Sequence, residues 1–343
     1  MGKTIKILSI DGGGTRGLMP ATMLNCLELE TGKSVTDMFD VIVGAATGGI
    51  IAAALAAGVS TSEIIDIYLN RASYILPSNA FRRIWNPVNL FSSKYPNKNL
   101  KSLLIEKFGA NATMTDVYNE HGNNTVFLIA SLDLSPELGQ EETPAFKVVI
   151  YNSILRAHHP ENLVDIAMRS SAAAVNLPIY QHFGEGGNYA NDPALIGFSF
   201  SLSDKTGPAD SSLLPGGKLG LGADISDIRL LSLGCGSDGR SFVTREKIGN
   251  GSWGLTKWMG HLVNLVIDTG MVYTQYLLDE MLDDKRYLRI NPYYKSAEAP
   301  AVLKNEKLAI DVTKQEQLDA IKSFSEYTFN AEKERILGFL DLN

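Results

Sequence analysis

The apolar positions of this chain fall into short runs and helical stripes that alternate over its first half. Lys3-Thr4-Ile5-Lys6-Ile7-Leu8-Ser9-Ile10 reads as a strand, and a helix follows from about Pro20 to Glu30. Phe39-Asp40-Val41-Ile42-Val43 reads as a buried strand, and Ile50–Ala57 as a buried helix ended by Gly58. Ser62–Ile75 and Asn99–Phe108 carry helical spacing, Val126–Leu132 and Phe146–Tyr151 read as strands, and Leu163–Arg169 as another helix. Alternation of this kind predicts an α/β fold with a mainly parallel central sheet, helices on both faces, and functional loops gathered at the carboxyl ends of the strands. Further on, Trp258–Leu282 places Leu262, Leu265, Val266, Met271, Tyr276, Leu277 and Met281 at the spacing of a core-facing helix. Tyr287–Asn291 reads as a strand, and Leu308–Leu340 as one or two amphipathic helices.

Two glycine-rich turns interrupt these elements. Gly44-Ala45-Ala46-Thr47-Gly48 has the form of a G-x-S-x-G nucleophile elbow with alanine in the nucleophile's place. Gly44 and Gly48 supply the small residues that so tight a strand-to-helix turn needs. Upstream, Asp11-Gly12-Gly13-Gly14-Thr15-Arg16-Gly17 joins the first strand to the first helix. Bare backbone N–H groups at such a turn suit an anion, either a phosphate or a transient oxyanion. No Gly-Lys-Ser/Thr follows, so this is not a Walker loop, and the G-x-G-x-x-G spacing of dinucleotide sites is missing.

Together the two turns closely resemble those of the patatin-like lipid acyl hydrolases. Asn162–Ala174 resembles the family helix that runs into a Ser-Ala-Ala-Pro stretch, and Glu185-Gly186-Gly187 with Asn191-Asp192-Pro193 stands where the family has Asp-Gly-Gly…Asn-Asn-Pro. Leu230–Gly236 resembles a later core strand, so the likeness covers residues 4–236. It implies a three-layer patatin-like fold and a phospholipase A or esterase activity run by a Ser-Asp dyad with no histidine and no cofactor. By the same likeness residue 46 is the nucleophile position and Glu185 the base position. Gly12, Gly13 and Gly14 are the oxyanion hole; Arg16 either pairs with a carboxylate to brace it, which the likeness favours, or covers a helix face. Partners so implied are an acyl lipid and, as in some bacterial members, a protein or nucleotide activator.

Both catalytic positions depart from the family: Ala46 replaces the serine and Glu185 the aspartate. Loss of the nucleophile lowers turnover by roughly a millionfold in a serine hydrolase. A longer carboxylate side chain displaces a base that must lie within about 3 Å of its partner. An inactivated Ser-to-Ala variant accounts for the first change; a naturally degenerate site accounts for both. The alternatives are a non-catalytic lipid- or partner-binding protein of this fold, and a nucleotide-binding protein that uses Asp11–Gly17.

At 343 residues, 45% hydrophobic and 20% charged, one enlarged domain over 1–343 is expected, with insertions at 77–97 and 199–224 and a mostly helical part at 237–343. The net charge of −7 argues against nucleic acid as a partner. Phe81, Arg82, Arg83, Trp85 and Phe91 make 77–97 a candidate for peripheral membrane contact, set against a loop tucked on the core. The stretch 199–224 reads as a flexible excursion near the site. Cys26 and Cys235 read as buried free thiols, and no histidine or cysteine spacing suits a metal. Of the histidines only His182 lies near a motif, read as a loop residue, and Asp192 reads as the cap of a helix opening at Pro193. With no signal peptide and no membrane span in the pattern, a cytoplasmic place is expected, the alternatives being a place peripheral to a membrane or export without a cleaved signal peptide.

Overall fold

The computed structural model describes residues 3–77, 92–135, 145–238, 243–259, 261–305 and 308–342. Among them seven strands form one sheet: β1 (Ile5–Ile10), β2 (Val41–Ala45), β3 (Val126–Asp133), β4 (Lys147–Asn152), β5 (Phe183–Glu185), β6 (Ile228–Leu233) and β7 (Tyr287–Ile290). The order is β4-β3-β2-β1-β6-β7, and every pairing from β3 to β7 is parallel. β4 and β5 both run antiparallel to β3.

The strands alternate by the two-residue period of the pleat, so each feeds both sides of the sheet. Leu8, Ile10, Ile42, Phe127, Ile129 and Leu231 are buried on one face. There they meet helices α1 (Leu18–Thr31), α2 (Thr47–Ala56), α3 (Thr61–Ile75), α4 (Lys98–Phe108) and α5 (Leu163–Ser170). Ile7, Val41, Val43, Val126, Leu128 and Leu230 point the other way. They are covered by α6 (Ala194–Leu202) and by Leu278 near the end of α7 (Leu262–Met281). A last helix, α8 (Gln315–Phe339), packs with α1 and closes the first face. This is the three-layer α/β arrangement expected from the alternation.

Several readings change. The helix Met114–His121 went unread although its capping box, Thr113 with Asp116, is a start signal in the sequence. Residues 199–224 are not an excursion at the site. Phe200, Leu214 and Leu221 pack onto the far face of the sheet, and the strand-like bridges Thr206–Lys218 and Leu155–Ser212 tie the segment down. Cys235 is buried, but Cys26 only partly. The apolar stripe of α7 is not a core face: Leu262, Val266, Tyr276 and Met281 are exposed, and the helix joins the core on the far face of the sheet near its end, at Leu278. Residues 78–91 lie outside the described residues, and with them the aromatic and basic cluster Phe81–Trp85 and Phe91. Lys94 and Tyr95 are described: their N–H groups donate to the carbonyls of Val175 and Asn176, and both side chains reach Asp311.

A close backbone contact joins β1, β2 and α2. A Cβ on Gly48 would stand 2.1 Å from the Ile10 carbonyl oxygen, and one on Gly44 2.2 Å from the Gly48 oxygen. Gly48→Ala should therefore destabilise by about 1–3 kcal/mol or more, whereas Gly254→Ala, with nothing within 4 Å of its Cβ position, should stay within about 0.5 kcal/mol of the parent. Equal thermal midpoints for the two variants would show that the contact is not tight.

Candidate active site

The elbow is present in backbone terms. β2 ends at Ala45, α2 starts at Thr47, and Ala46 between them holds φ 51° and ψ −123°. For a residue with a Cβ that conformation is strained by about 1–3 kcal/mol, and strained turns of this kind are how an elbow presents its side chain. The N–H groups of the first turn of α2 lie directly behind it.

The glycine loop faces the elbow. A Cβ on Gly12 would stand 2.8 Å from the Ala46 Cβ and 2.2 Å from Asn191 Oδ1. The Gly12 N–H donates to the Asn191 carbonyl at 3.0 Å, and Asn191 Nδ2 donates back to the Gly12 carbonyl at 3.1 Å. The Gly13 N–H donates to Thr47 Oγ1 at 3.0 Å. Gly14 opens a short 3₁₀ turn, Gly14–Gly17, and its N–H has no acceptor within that turn. Thr15, by its N–H and its hydroxyl, holds the carbonyl of Ile310. Arg16 reaches the loop through its Nε, which donates to the Gly13 carbonyl at 3.4 Å.

The loop's carboxylate is held from elsewhere. Arg289 on β7 donates to both oxygens of Asp11, at 2.8 and 2.5 Å, and to Ser232 Oγ at 2.7 Å. Its guanidinium also lies 3.5 Å from Asp192. Asp192 Oδ1 accepts from the Ala194 N–H at 3.1 Å, the capping bond expected at this helix start. It also accepts from Ser9 and Ser232, a buried role the sequence did not suggest. Burial pushes the Asp11 carboxyl above the usual carboxylate range while Arg289 pulls it back. Burial also opposes charge on Arg289, but the two carboxylates outweigh it and hold its pKa up.

Glu185 arrives by strand pairing. β4 pairs along Leu128–Asp133, so β2 and β5 must share the other edge of β3. Ala45 pairs with Ala130 and Glu185 with the next residue, Ser131, so β5 continues the line of β2 past the elbow. The Glu185 Oε2 and the Ala46 Cβ both lie 3.5 Å from the point a Cβ on Gly187 would occupy. Burial pushes the Glu185 carboxyl up to about 7, with the Ala174 N–H working against it.

Ala46, Glu185, Asn191 and the loop form the head of a cavity of about 900 Å³. Away from the head it is mostly apolar, lined by Ile51, Ala54, Ile64, Tyr68, Leu104 and Phe108, with Lys94, Lys107, Asp268 and Asp311 also on its wall. From Ala46 to Ala54 it follows α2 for about 12 Å at 1.5 Å per residue, and a cavity this large fits a whole small-molecule ligand. His261 lines it, whereas His182, the histidine nearest a motif in sequence, is exposed and 3.8 Å from Asp133. Among the described residues no cluster of three or more His, Cys, Asp or Glu could hold a metal ion, and no helix is long and apolar enough to cross a membrane.

Residues 8–197 match the family described as patatin-like phospholipase. Patatin-like protein 2 of Arabidopsis thaliana is 30% identical over 301 residues, covering 76% of this chain and 66% of that protein. A cGAMP-activated phospholipase of Pseudomonas aeruginosa is 24% identical, covering 90% of this chain and 85% of that protein. Human GIVD cytosolic phospholipase A2 superposes with a TM-score of 0.46 at 11% identity, covering 99% of this chain and 60% of that one.

The raised pKa of Glu185 sets a pH test. The folded chain holds this proton more tightly than the unfolded one, so the group's contribution to stability falls as pH rises from 4.5 through about 7. The loss amounts to up to about 3 kcal/mol. Glu185→Gln removes the titration. Unfolding at about pH 5 and about pH 8 should show the variant gaining on the parent at the higher pH; parallel pH profiles would mean Glu185 titrates as an exposed carboxylate.

Proposed function

The chain belongs to the patatin-like phospholipase family, and we propose that it is an acyl-lipid site on the scaffold of a Ser-Asp dyad hydrolase, in a form without the attacking hydroxyl. One observation carries the reading. A strained elbow residue and a buried carboxyl meet at the head of a long apolar cavity.

With serine at 46, the hydroxyl oxygen would attack the acyl carbonyl while the carboxylate at 185 takes its proton. Gly13 and Gly14 are the better placed oxyanion donors. The Thr47 hydroxyl that takes the Gly13 N–H can rotate away, whereas the Gly12 N–H is fixed on a backbone carbonyl. Collapse would pass the proton to the leaving alcohol, a lysolipid when the substrate is a phospholipid, and water would then release the fatty acid. With Ala46 the first bond cannot form, so the chain as it stands binds an acyl lipid without cleaving it at an enzyme's rate. The nucleotide reading of Asp11–Gly17 loses ground because the Gly12 N–H is fixed on the Asn191 carbonyl and the loop opens onto a largely apolar cavity. A nucleotide activator, named for the Pseudomonas relative, remains a proposal for a separate site.

Ala46→Ser, alone or with Glu185→Asp, should create hydrolysis of short-chain esters over a parent at background. A folded double variant that stays at the parent's level would sink the hydrolase reading. Separately, oleate should stabilise the parent, by about 2.7 kcal/mol at a hundredfold excess over Kd, and ATP should not. No melting shift with oleate would leave the cavity without its proposed ligand.

A further inference from the structure

Helix α7 shows two faces of different use. At about 100° per residue, Leu262, Val266, Tyr273 and Tyr276 fall within one narrow arc, and they are 41%, 53%, 60% and 58% exposed. Ile267, Met271 and Gln275 fall on the opposite side, where they line the cavity. Val272 sits between the faces, 65% exposed and also lining the cavity. The outer stripe runs about 21 Å along the helix at 1.5 Å per residue. Scattered apolar side chains on a surface are ordinary, but a continuous ridge on the rim of an apolar cavity marks a contact surface.

The residues before α7 extend the ridge with Leu255 and Trp258, 70% and 39% exposed. They also add the exposed cations Arg245, Lys247 and Lys257, with the Lys257 ammonium 4.4 Å from the Trp253 ring centre. Tryptophan and tyrosine beside lysine and arginine are the side chains that settle at the headgroup level of a bilayer. Glu246 stands exposed between Arg245 and Lys247, leaving the cluster 245, 246, 247 and 257 with an excess of two positive charges; Asp279 and Glu280 follow the stripe, and Asp268 turns to the cavity side.

We propose that the outer stripe of α7, with Leu255, Trp258 and the cations at 245, 247 and 257, seats the chain on an anionic phospholipid surface, the cavity mouth turned toward the leaflet. The proposal rests on the acyl-lipid reading: a cavity that takes acyl chains must receive them from a lipid phase, and Met271 and Val272 join the mouth to the ridge. A second copy of the chain on the same ridge would cover the mouth it adjoins.

The test needs no turnover. The chain as it stands is floated with vesicles of phosphatidylcholine, with and without phosphatidylglycerol. The parent should bind the anionic vesicles better, more so at low salt. Val266→Asp with Tyr273→Asp should weaken binding about tenfold or more. Arg245→Glu, Lys247→Glu and Lys257→Glu together should abolish the preference for phosphatidylglycerol. A parent-like melting midpoint and an oleate shift show that a variant is folded with its cavity intact; if the double change does not fold, Tyr276→Ser is read instead. Vesicle binding untouched by these changes would overturn the proposal. So would a parent dimer that the stripe variant dissociates while the vesicles capture neither form. A parent that shifts with oleate and floats with no vesicle removes the docking surface and leaves the acyl-lipid reading standing. Vesicle binding without an oleate shift does the reverse.

Discussion

The site depends on how closely three backbone segments approach at Gly44 and Gly48. With no side chain at either position, the end of β1, the end of β2 and the start of α2 lie in van der Waals contact, too near for a methyl group. That contact fixes where the glycine loop leaves β1 relative to where the elbow leaves β2. It brings Gly12 against Ala46, and it aims the first N–H groups of α2 at the same point. Protein interiors transmit such constraints because they are close-packed, so a shift of one ångström at Gly48 would be felt at both turns.

Much of this was legible because it is local. The elbow and the glycine loop are each written in a few consecutive residues, and the strands and helices that carry them have clear periods. Glu185 was legible as a member of a motif, but its position beside Ala46 comes from β5 continuing the line of β2 along β3, which no local pattern announces. Arg289 was not legible at all. It lies 278 residues from Asp11 and reads as one charged residue in a short strand. The alternation in β7 leaves an arginine on the sheet's interior side, and a buried cation in such a place is a signal to seek a carboxylate partner. The face of α7 was misread because helical spacing says that a stripe exists, not what it faces.

The Asp11–Arg289–Asp192 cluster explains why the helical last third belongs to the site. Strand β7 carries the guanidinium, the carbonyl of Ile310 holds Thr15, and Asp311 takes Lys94 and Tyr95 at the cavity edge. Buried ion pairs are weak contributors to net stability, yet removing one partner is strongly destabilising because a charge is left uncompensated. The cluster is better understood as a device of position. It grips the carboxylate of the first loop residue from one side while Asn191 grips Gly12 from the other, and the glycines of the loop hang between the two.

That frame gives the two departures from the family different weights. The elbow keeps its strained conformation at Ala46, so the backbone still presents a side chain that has no oxygen to offer. The carboxyl at 185 then faces a methyl group and one backbone N–H in an apolar setting, which is why it is pushed toward neutrality. A serine hydroxyl at 46 would restore a donor to that carboxyl and draw its pKa back down, toward the ionised form that a base requires. The raised pKa is a consequence of burial, which the alanine at 46 does nothing to offset. The extra methylene of Glu185 is a smaller matter of reach, and Gly187 leaves open the space in which the longer side chain can move.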